Sequence, residues 1–300
     1  MIKLNVGSFR VCFASERAGN IKVIKSHYGP WISEKHGACV ECSFDDKASV
    51  QEQSTEGTSN FVCHSEDEEL VFIRGPLRVR INTISDGWKC SASLDQYISW
   101  MKDHEPENAS TASHENQHRG EEYLLFGFNL VLRAVSMAWS LYHDSIILHS
   151  STAAAPDGGC FVFSGPMNSG KSTASSCCRD FRLISEDCVE IKAADNIHPA
   201  CFSSPVNNVE KQGGFPFSGP ARGIFFVKKS KRVSCTRIDQ TEALRNLYNN
   251  AMMDCIVPGK EKNFLKALSR ISEKVPCFSL EFTRDCKLAQ VVKDALEDLA

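Results

Sequence analysis

The sequence lacks a strong excess of charge of either sign. It has 34 Lys and Arg against 37 Asp and Glu, a formal net charge of −3 over 300 residues. A protein that binds nucleic acid or an anionic membrane surface through bulk electrostatics usually carries a clear basic excess. We therefore expect no nucleic acid and no membrane among the partners of this protein.

The sequence also lacks an apolar segment typical of an export signal or a membrane span. Residues 1–7 have no continuous apolar core of the kind that a secretory signal needs. The longest apolar region, residues 123–142, contains Asn129, Arg133 and two serines, which predicts a buried amphipathic helix rather than a span. We expect a cytoplasmic protein.

Cysteine is abundant, with 14 residues. In a reducing cytoplasm most of these thiols are expected to act as small apolar side chains of the core. Cys39, Cys42, Cys63 and His64 leave a zinc site open as an alternative, because a C-x-x-C pair and a Cys/His pair supply four suitable ligands. Against that alternative, Cys63 and His64 are adjacent, which is an awkward spacing for one tetrahedral ion.

Composition changes once along the chain. Residues 102–120 contain almost no apolar side chain, which predicts a polar linker or loop. Before it, residues 1–101 show short apolar runs with strand-like alternation and a weak helix near 94–101, typical of a small β-rich module. After it, residues 121–300 alternate helix and strand patterns. These include a predicted hairpin of strands 223–227 and 233–238 and a helix capped by Asp239.

Residues 165–172 read GPMNSGKS and match the phosphate-loop pattern GxxxxGKS/T, directly after the apolar strand 160–163. Such a loop directs backbone amides at phosphate oxygens, while its lysine reaches the β- and γ-phosphates and its hydroxyl coordinates Mg²⁺. The sequence therefore predicts binding of ATP with Mg²⁺. The residues expected to contact the nucleotide are Gly165, Pro166, Met167, Asn168, Ser169, Gly170, Lys171, Ser172 and Thr173.

His149, this loop and the pair Glu186-Asp187 follow one another in an order and spacing that resemble the kinase domain of HPr kinase/phosphorylase. That family shares its core with ATP-dependent phosphoenolpyruvate carboxykinase. The resemblance covers roughly residues 121–300 and implies an α/β fold, a P-loop-containing mixed-sheet domain preceded here by the small β-rich domain. Residues 1–120 do not resemble the N-terminal domain of the bacterial HPr enzyme.

The resemblance also implies roles for individual residues. Asp187 is the main acid/base candidate, and Glu186 is its neighbour on the metal side, so that Ser172, Glu186 and Asp187 are the candidate metal ligands. The family usually has Asp-Asp at this pair, which leaves the division of labour between the two acids open. His149 is expected to orient the phosphates or the acids, and Arg222 is the nearest candidate for an arginine on the transferring phosphoryl group.

The function expected from these residues is an ATP- and Mg²⁺-dependent kinase that phosphorylates a serine or another hydroxyl of a peptide or protein. A small-molecule kinase, a carboxykinase-like phosphotransferase and a nucleotide-gated binding protein without transfer remain alternatives. Residues 228–232 hold four basic side chains in five positions, either as a solvated turn or as a contact to phosphate or substrate. The sequence leaves open the reverse phosphorylase reaction and homo-oligomerisation.

Overall fold

A computed structural model gives the structure of the protein. It describes residues 1–14, 18–32, 40–44, 61–66, 69–84, 87–103, 113–193, 198–206, 215–255, 257, 259–283 and 288–298. The chain forms two compact units, one of residues 1–138 with 254–259 and the other of residues 139–253 with 260–300. Each unit contains its own mixed β-sheet. Of the predicted polar linker at 102–120, residues 102–103 end one helix and residues 113–120 begin the next, while residues 104–112 lie outside the described part of the chain, so the division into domains there stays a prediction.

The first unit holds a seven-stranded sheet in the order β1-β2-β3-β7-β6-β5-β4. Its elements are β1 (Ile2–Val6), β2 (Phe9–Ala14), α1 (Ala18–His27), β3 (Val40–Phe44), β4 (Val62–Glu66), β5 (Glu69–Arg74), β6 (Leu77–Ile84), β7 (Gly87–Ala92), α2 (Leu94–Asp103) and α3 (Ser113–Tyr142). The pairs β2/β3 and β3/β7 are parallel, and the other pairs are antiparallel. Alternate side chains of β1 are buried, as the period of a strand requires.

Strand order excludes a zinc ion shared by Cys42 and Cys63. Cys42 lies on β3 and Cys63 on β4, and three other strands separate them in the sheet. Four strand spacings amount to about 19 Å, far beyond the span of a single tetrahedral site. The neighbour of Cys42 is instead Cys90 on β7. Cys39 lies outside the described residues, and within those residues no group of three or more metal-ligating side chains occurs.

The second unit holds an eight-stranded sheet with α-helices packed against it. Its elements are β8 (Ser145–Ala154), β9 (Cys160–Ser164), α4 (Lys171–Cys177), β10 (Arg182–Ser185), β11 (Cys188–Lys192), β12 (Ala200–Ser203), β13 (Ser218–Lys229), β14 (Ser234–Arg237), α5 (Gln240–Asn250), α6 (Glu261–Lys274), β15 (Cys277–Phe282) and α7 (Leu288–Glu297). Asp239 caps α5 as predicted, its carboxylate accepting a hydrogen bond from the Glu242 amide at 2.8 Å.

The predicted hairpin of 223–227 with 233–238 is wrong. The first segment belongs to β13, which pairs in parallel with both β9 and β15. The second segment is β14, which pairs antiparallel with β15 instead. Strand β15 therefore lies between the two segments that the sequence pattern had joined, because a strand from the end of the chain enters the sheet at that position.

Helix α3 is a core helix. Its stretch Arg119–Tyr142 has a mean hydropathy of 1.5 over its most apolar window and is long enough to cross a membrane, contrary to the expectation from its polar residues. In the structure 83% of that window is buried inside the protein, which is typical of a core helix. The aromatic ring of Phe128 contacts Phe13 and Tyr28 at centroid distances of 4.4 and 5.3 Å.

Helix α2 approaches α3 closely at Gly127. A Cβ atom at this position would lie 2.5 Å from Leu94 Cδ1 and 2.9 Å from Tyr97 Cδ1. Both side chains are buried, at 1% and 4% exposure, so neither has free space to move into. A glycine is therefore required for this packing.

We predict that Gly127→Ala lowers the free energy of unfolding by about 1–3 kcal/mol, the usual range for overpacking. The matched control is Gly120→Ala in the same helix, where an added Cβ would meet nothing within 4 Å. That control should gain about 0.5–1 kcal/mol from helix propensity. Urea denaturation followed by circular dichroism measures both, and equal shifts would contradict the proposed close packing.

Candidate functional site

The middle of β8 brings two segments of the candidate site together. On one edge, Ser150 pairs with Ser164, the last residue of β9 before the phosphate-loop motif. On the other edge, the Ser150 amide donates a hydrogen bond to the Asp187 carbonyl at 3.1 Å. Asp187 and Ser164 thus lie on opposite sides of one strand, about 10 Å apart by two strand spacings.

The motif loop, residues 165–172, bends sharply between β9 and α4. Gly165, Asn168 and Gly170 have φ angles of 152°, 62° and 105°, which turn the backbone back on itself. The Lys171 ammonium folds over the loop and donates to the carbonyls of Gly165 and Pro166, each at 3.0 Å. The lysine is only 8% exposed, so its charge is held against the loop.

Polar groups of this loop fit a phosphate ligand. The Ser169 hydroxyl is buried and has no hydrogen-bond partner within the described part of the chain. The first turn of α4 leaves the amides of Ser172 and Thr173 without intrahelical acceptors. Ser172 and Thr173 are half-buried, and Met167 is 80% exposed at the tip of the loop. An anion with several acceptor oxygens matches these donors, and the Ser172 hydroxyl suits a divalent cation beside it.

Glu186 and Asp187 form a kink between β10 and β11. Asp187 has a φ of 67°, a left-handed conformation that Asp tolerates better than most residues. The Cys188 amide donates to the Glu186 carbonyl at 2.9 Å, which closes a tight turn. Both carboxylates are half-buried. The kink thus presents two acids at the strand position that faces the motif loop across β8.

His149 lies between the loop and the acids along β8. Its carbonyl accepts a hydrogen bond from the Ser164 hydroxyl at 2.9 Å, which ties it to the start of the motif loop. On the other edge it pairs with Cys188, the residue after Asp187. The side chain is half-buried. The backbone of His149 is therefore placed next to both segments of the site.

Arg222 does not belong to this group of residues. It lies near the start of β13, where Ala221 pairs with Cys160 at the opposite end of β9 from the motif loop. Along the strand it is about 13 Å from Phe226, the residue beside Ser164. Its guanidinium forms an exposed ion pair with Asp157 at 3.2 Å, and its stem packs on Gly159. The arginine thus lies at the far end of the sheet.

Lys229 is the basic residue that the sequence did not single out. It ends β13 beside the motif loop, and its Cγ lies 3.7 Å from the position of a Cβ on Gly170. The cluster at residues 228–232 was the available signal, but a turn of this composition is usually only solvated. The parallel pairing of β13 with β9 places the end of this strand at the loop.

Aromatic side chains pack between the strands next to the motif loop. Phe225 on β13 stacks on Phe278 of β15 at 5.0 Å between centroids and contacts Phe163 of β9 at 5.7 Å. The cluster also includes Ala174 of α4 and Val292 of α7, so helix and sheet share one apolar interior. Because the rings fill this interior, the strand ends that carry the loop have little freedom to shift.

Comparison with known proteins adds little to this description. No protein-family model matches the sequence, and no curated protein matches it. Among solved structures, the HPr(Ser) kinase/phosphatase from Coxiella burnetii is similar with a TM-score of 0.31 and 13% sequence identity. The match covers 51% of this chain and 97% of that one. The mixed α/β architecture is therefore described from the structure itself, and the function is argued from its residues.

We predict that Gly165→Ala destabilises the protein by at least about 1 kcal/mol more than Gly158→Ala. Both glycines have positive φ angles, so an alanine is strained at either position. Only at Gly165 would the new Cβ lie 2.8 Å from the buried Ser169 Oγ, whereas at Gly158 nothing lies within 4 Å. Urea denaturation of the two variants measures the difference, and equal destabilisation would show that the loop adapts freely.

Proposed function

We propose that the protein is an ATP- and Mg²⁺-dependent kinase that transfers the γ-phosphoryl group to a serine or another hydroxyl of a peptide or protein. One observation carries the proposal. The motif loop and the Glu186-Asp187 kink lie on opposite edges of β8, around Ser150. A separation of about 10 Å between their backbones leaves room for phosphates and a metal ion between the side chains.

The loop would hold the nucleotide phosphates. The backbone amides of Ser172 and Thr173 and the Ser169 hydroxyl supply neutral donors, and Lys171 supplies a positive charge at the β- and γ-phosphates. Lys229 adds a second positive charge at the rim, where its Cγ lies 3.7 Å from the position of a Cβ on Gly170. Binding would thus combine donors fixed by the loop with one buried and one exposed cation.

The Ser172 hydroxyl and the Glu186 carboxylate are the proposed ligands of Mg²⁺, since this ion prefers oxygen donors beside substrate phosphates. Bound Mg-ATP would supply the transferable phosphoryl group and the charge neutralisation that such transfers require. Phosphoryl transfer needs little covalent chemistry from the protein, so positioning is the main task of these residues.

Asp187 is the proposed base. Its carboxylate would accept the proton of the acceptor hydroxyl as that oxygen attacks, the role of a general base. Its backbone is held beside β8 by the bond from the Ser150 amide. His149, tied to both segments through its own backbone, is proposed to orient the phosphates or the acids.

The acceptor is proposed to be a peptide or protein, recognised by the first unit, in the cytoplasm. Nucleic acid and membranes are not proposed as partners.

A nucleotide-gated binding protein differs from a kinase in one measurable respect, which is transfer of the phosphoryl group to an acceptor. Incubation with [γ-³²P]ATP and a library of serine-containing peptides distinguishes them, because only a kinase moves label to an acceptor hydroxyl.

Three single substitutions, each removing one positive charge, test the nucleotide site by calorimetry with Mg-ATP. We predict that Lys171→Ala weakens binding about 10- to 100-fold, the range of a lost hydrogen bond between charged groups. Lys229→Ala should weaken it about 2- to 5-fold, because its exposed charge is screened by water. Arg222→Ala, at the far end of the sheet, should change binding less than twofold.

In the same calorimetry experiment, the Ser172→Ala variant tests the proposed metal site. Its affinity for ATP should fall only when Mg²⁺ is present, because the hydroxyl is proposed to act through the ion. Wild-type affinity in the Lys171→Ala variant would overturn the nucleotide site as a whole. If the ATP affinities of Lys229→Ala and Arg222→Ala are the same, Lys229 does not belong to the nucleotide site, and the rest of the site is unaffected.

A second prediction separates binding from chemistry. Asp187→Asn should keep ATP affinity within a few-fold while label transfer falls about 10²-fold or more, the usual scale of a lost general base. Asparagine tolerates a positive φ as well as aspartate does, so the turn should keep its shape. Glu186→Gln is the control and should instead lose Mg²⁺-dependent affinity. The opposite pattern in the two variants would exchange the roles of the acids.

A further inference from the structure

Two thiols that are far apart in the sequence meet in the first unit. The thiols of Cys63 and Cys255 share a hydrogen bond. Cys63 lies on β4, at the edge of the seven-stranded sheet. Cys255 lies in the segment 254–259, which connects α5 to α6 and belongs to the first unit by its contacts. The two sulfurs are therefore neighbours only because this segment packs beside the sheet.

A partly buried ion pair holds Asp254, the residue before Cys255. Asp254, only 7% exposed in its side chain, accepts a hydrogen bond from the guanidinium of Arg133 on α3. Removing either partner of such a pair leaves a buried charge uncompensated, which makes the contact costly to break. Because Cys255 is the next residue in the chain, the ion pair fixes its backbone beside β4.

The Cys63 and Cys255 pair differs from the other neighbouring thiols. Cys42 contacts Cys90, and Cys160 contacts Cys201, but all four lie in the core. Cys63 and Cys255 are both half-buried, so a small solute can reach them. In this pair, unlike those two, neither thiol is buried.

The surroundings favour ionisation of one thiol of the pair. The hydrogen bond with Cys255 lowers the pKa of Cys63, while the same bond and burial raise the pKa of Cys255. This asymmetry is typical of redox-active thiol pairs, in which one thiolate attacks and the other thiol completes the disulfide.

We propose that Cys63 and Cys255 form a reversible disulfide when the protein meets hydrogen peroxide. The Cys63 thiolate attacks peroxide, so an S–O bond forms, the O–O bond breaks and hydroxide leaves. Cys255, losing its proton, then attacks the Cys63 sulfur, so the S–S bond forms, the S–O bond breaks and a second hydroxide leaves. Two thiols and one peroxide thus give one disulfide and two waters, and two electrons pass from sulfur to peroxide.

The bond would tie β4 covalently to the chain between α5 and α6. In the reduced protein no covalent bond joins Cys255 to β4. In the oxidised protein the segment 254–259 could not leave the edge of the sheet. The site is independent of the proposed kinase activity and can be tested without any nucleotide or acceptor.

The test uses the full chain, exposed to hydrogen peroxide, then blocked with iodoacetamide and digested with trypsin without reduction. Cleavage at lysine and arginine gives the peptides 48–74 and 246–260, each of which contains a single cysteine. Mass spectrometry should find the two peptides cross-linked in wild type and separate after dithiothreitol. Cys63→Ser and Cys255→Ser should abolish the cross-link. Cys235→Ser, which removes another half-buried thiol, should leave its yield unchanged.

Alkylation rates at neutral pH give a second readout. Burial raises the pKa of Cys235 to about 11, whereas Cys63 is more acidic than an ordinary thiol. Allowing for the weaker nucleophilicity of an acidic thiolate, we expect Cys63 to react about tenfold faster than Cys235. The advantage should shrink in Cys255→Ser. Peroxide treatment that yields no 48–74/246–260 cross-link, or yields it only between two molecules on a non-reducing gel, would overturn the proposal.

Discussion

The parallel pairing of β13 with β9 and β15 is the constraint on which the candidate site depends. Phe225, fully buried in β13, stacks on Phe161 at 6.1 Å and on Phe278 at 5.0 Å, and so fixes the three strands side by side. Because parallel strands end at the same edge of a sheet, the motif loop after β9 and Lys229 at the end of β13 emerge together. The same constraint sends Arg222, at the start of β13, to the opposite edge.

Local features of the site were predictable from the sequence, and its long-range arrangement was not. The motif loop, the strand before it and the cap at Asp239 depend on residues within a few positions of one another, so their patterns identify them directly. The position of Arg222 and the partner of β14 depend on strand order. Strand β15, from near the end of the chain, pairs with β13 and lies between β13 and β14. The apolar pattern of residues 223–238 is the same with or without that pairing, so it cannot predict it.

The cysteines also show that contacts between residues far apart in the sequence could not be predicted from local patterns. The short spacing of Cys39 and Cys42 suggested a metal site together with Cys63, because a sequence shows directly only which residues are close along the chain. The sheet instead places Cys42 beside Cys90 and puts Cys63 against Cys255. Both contacts join residues from separate elements. The contact with Cys255 also requires the segment 254–259 to pack with the first unit, which depends on the partly buried ion pair of Asp254 with Arg133.

The backbone conformation at position 187 by itself favours aspartate. The presence of an acid there is therefore not evidence of a catalytic role. Of the three described non-glycine residues with positive φ, Asn168 and Asp187 both lie in the candidate site. Asparagine and aspartate adopt this conformation more readily than glutamate, so a turn of this shape favours aspartate whether or not the carboxylate takes a proton. Position 186 does not have a positive φ and accommodates the longer glutamate. The argument for Asp187 as a base therefore rests on its place across β8 from the motif loop, because the turn alone explains why the residue is an aspartate.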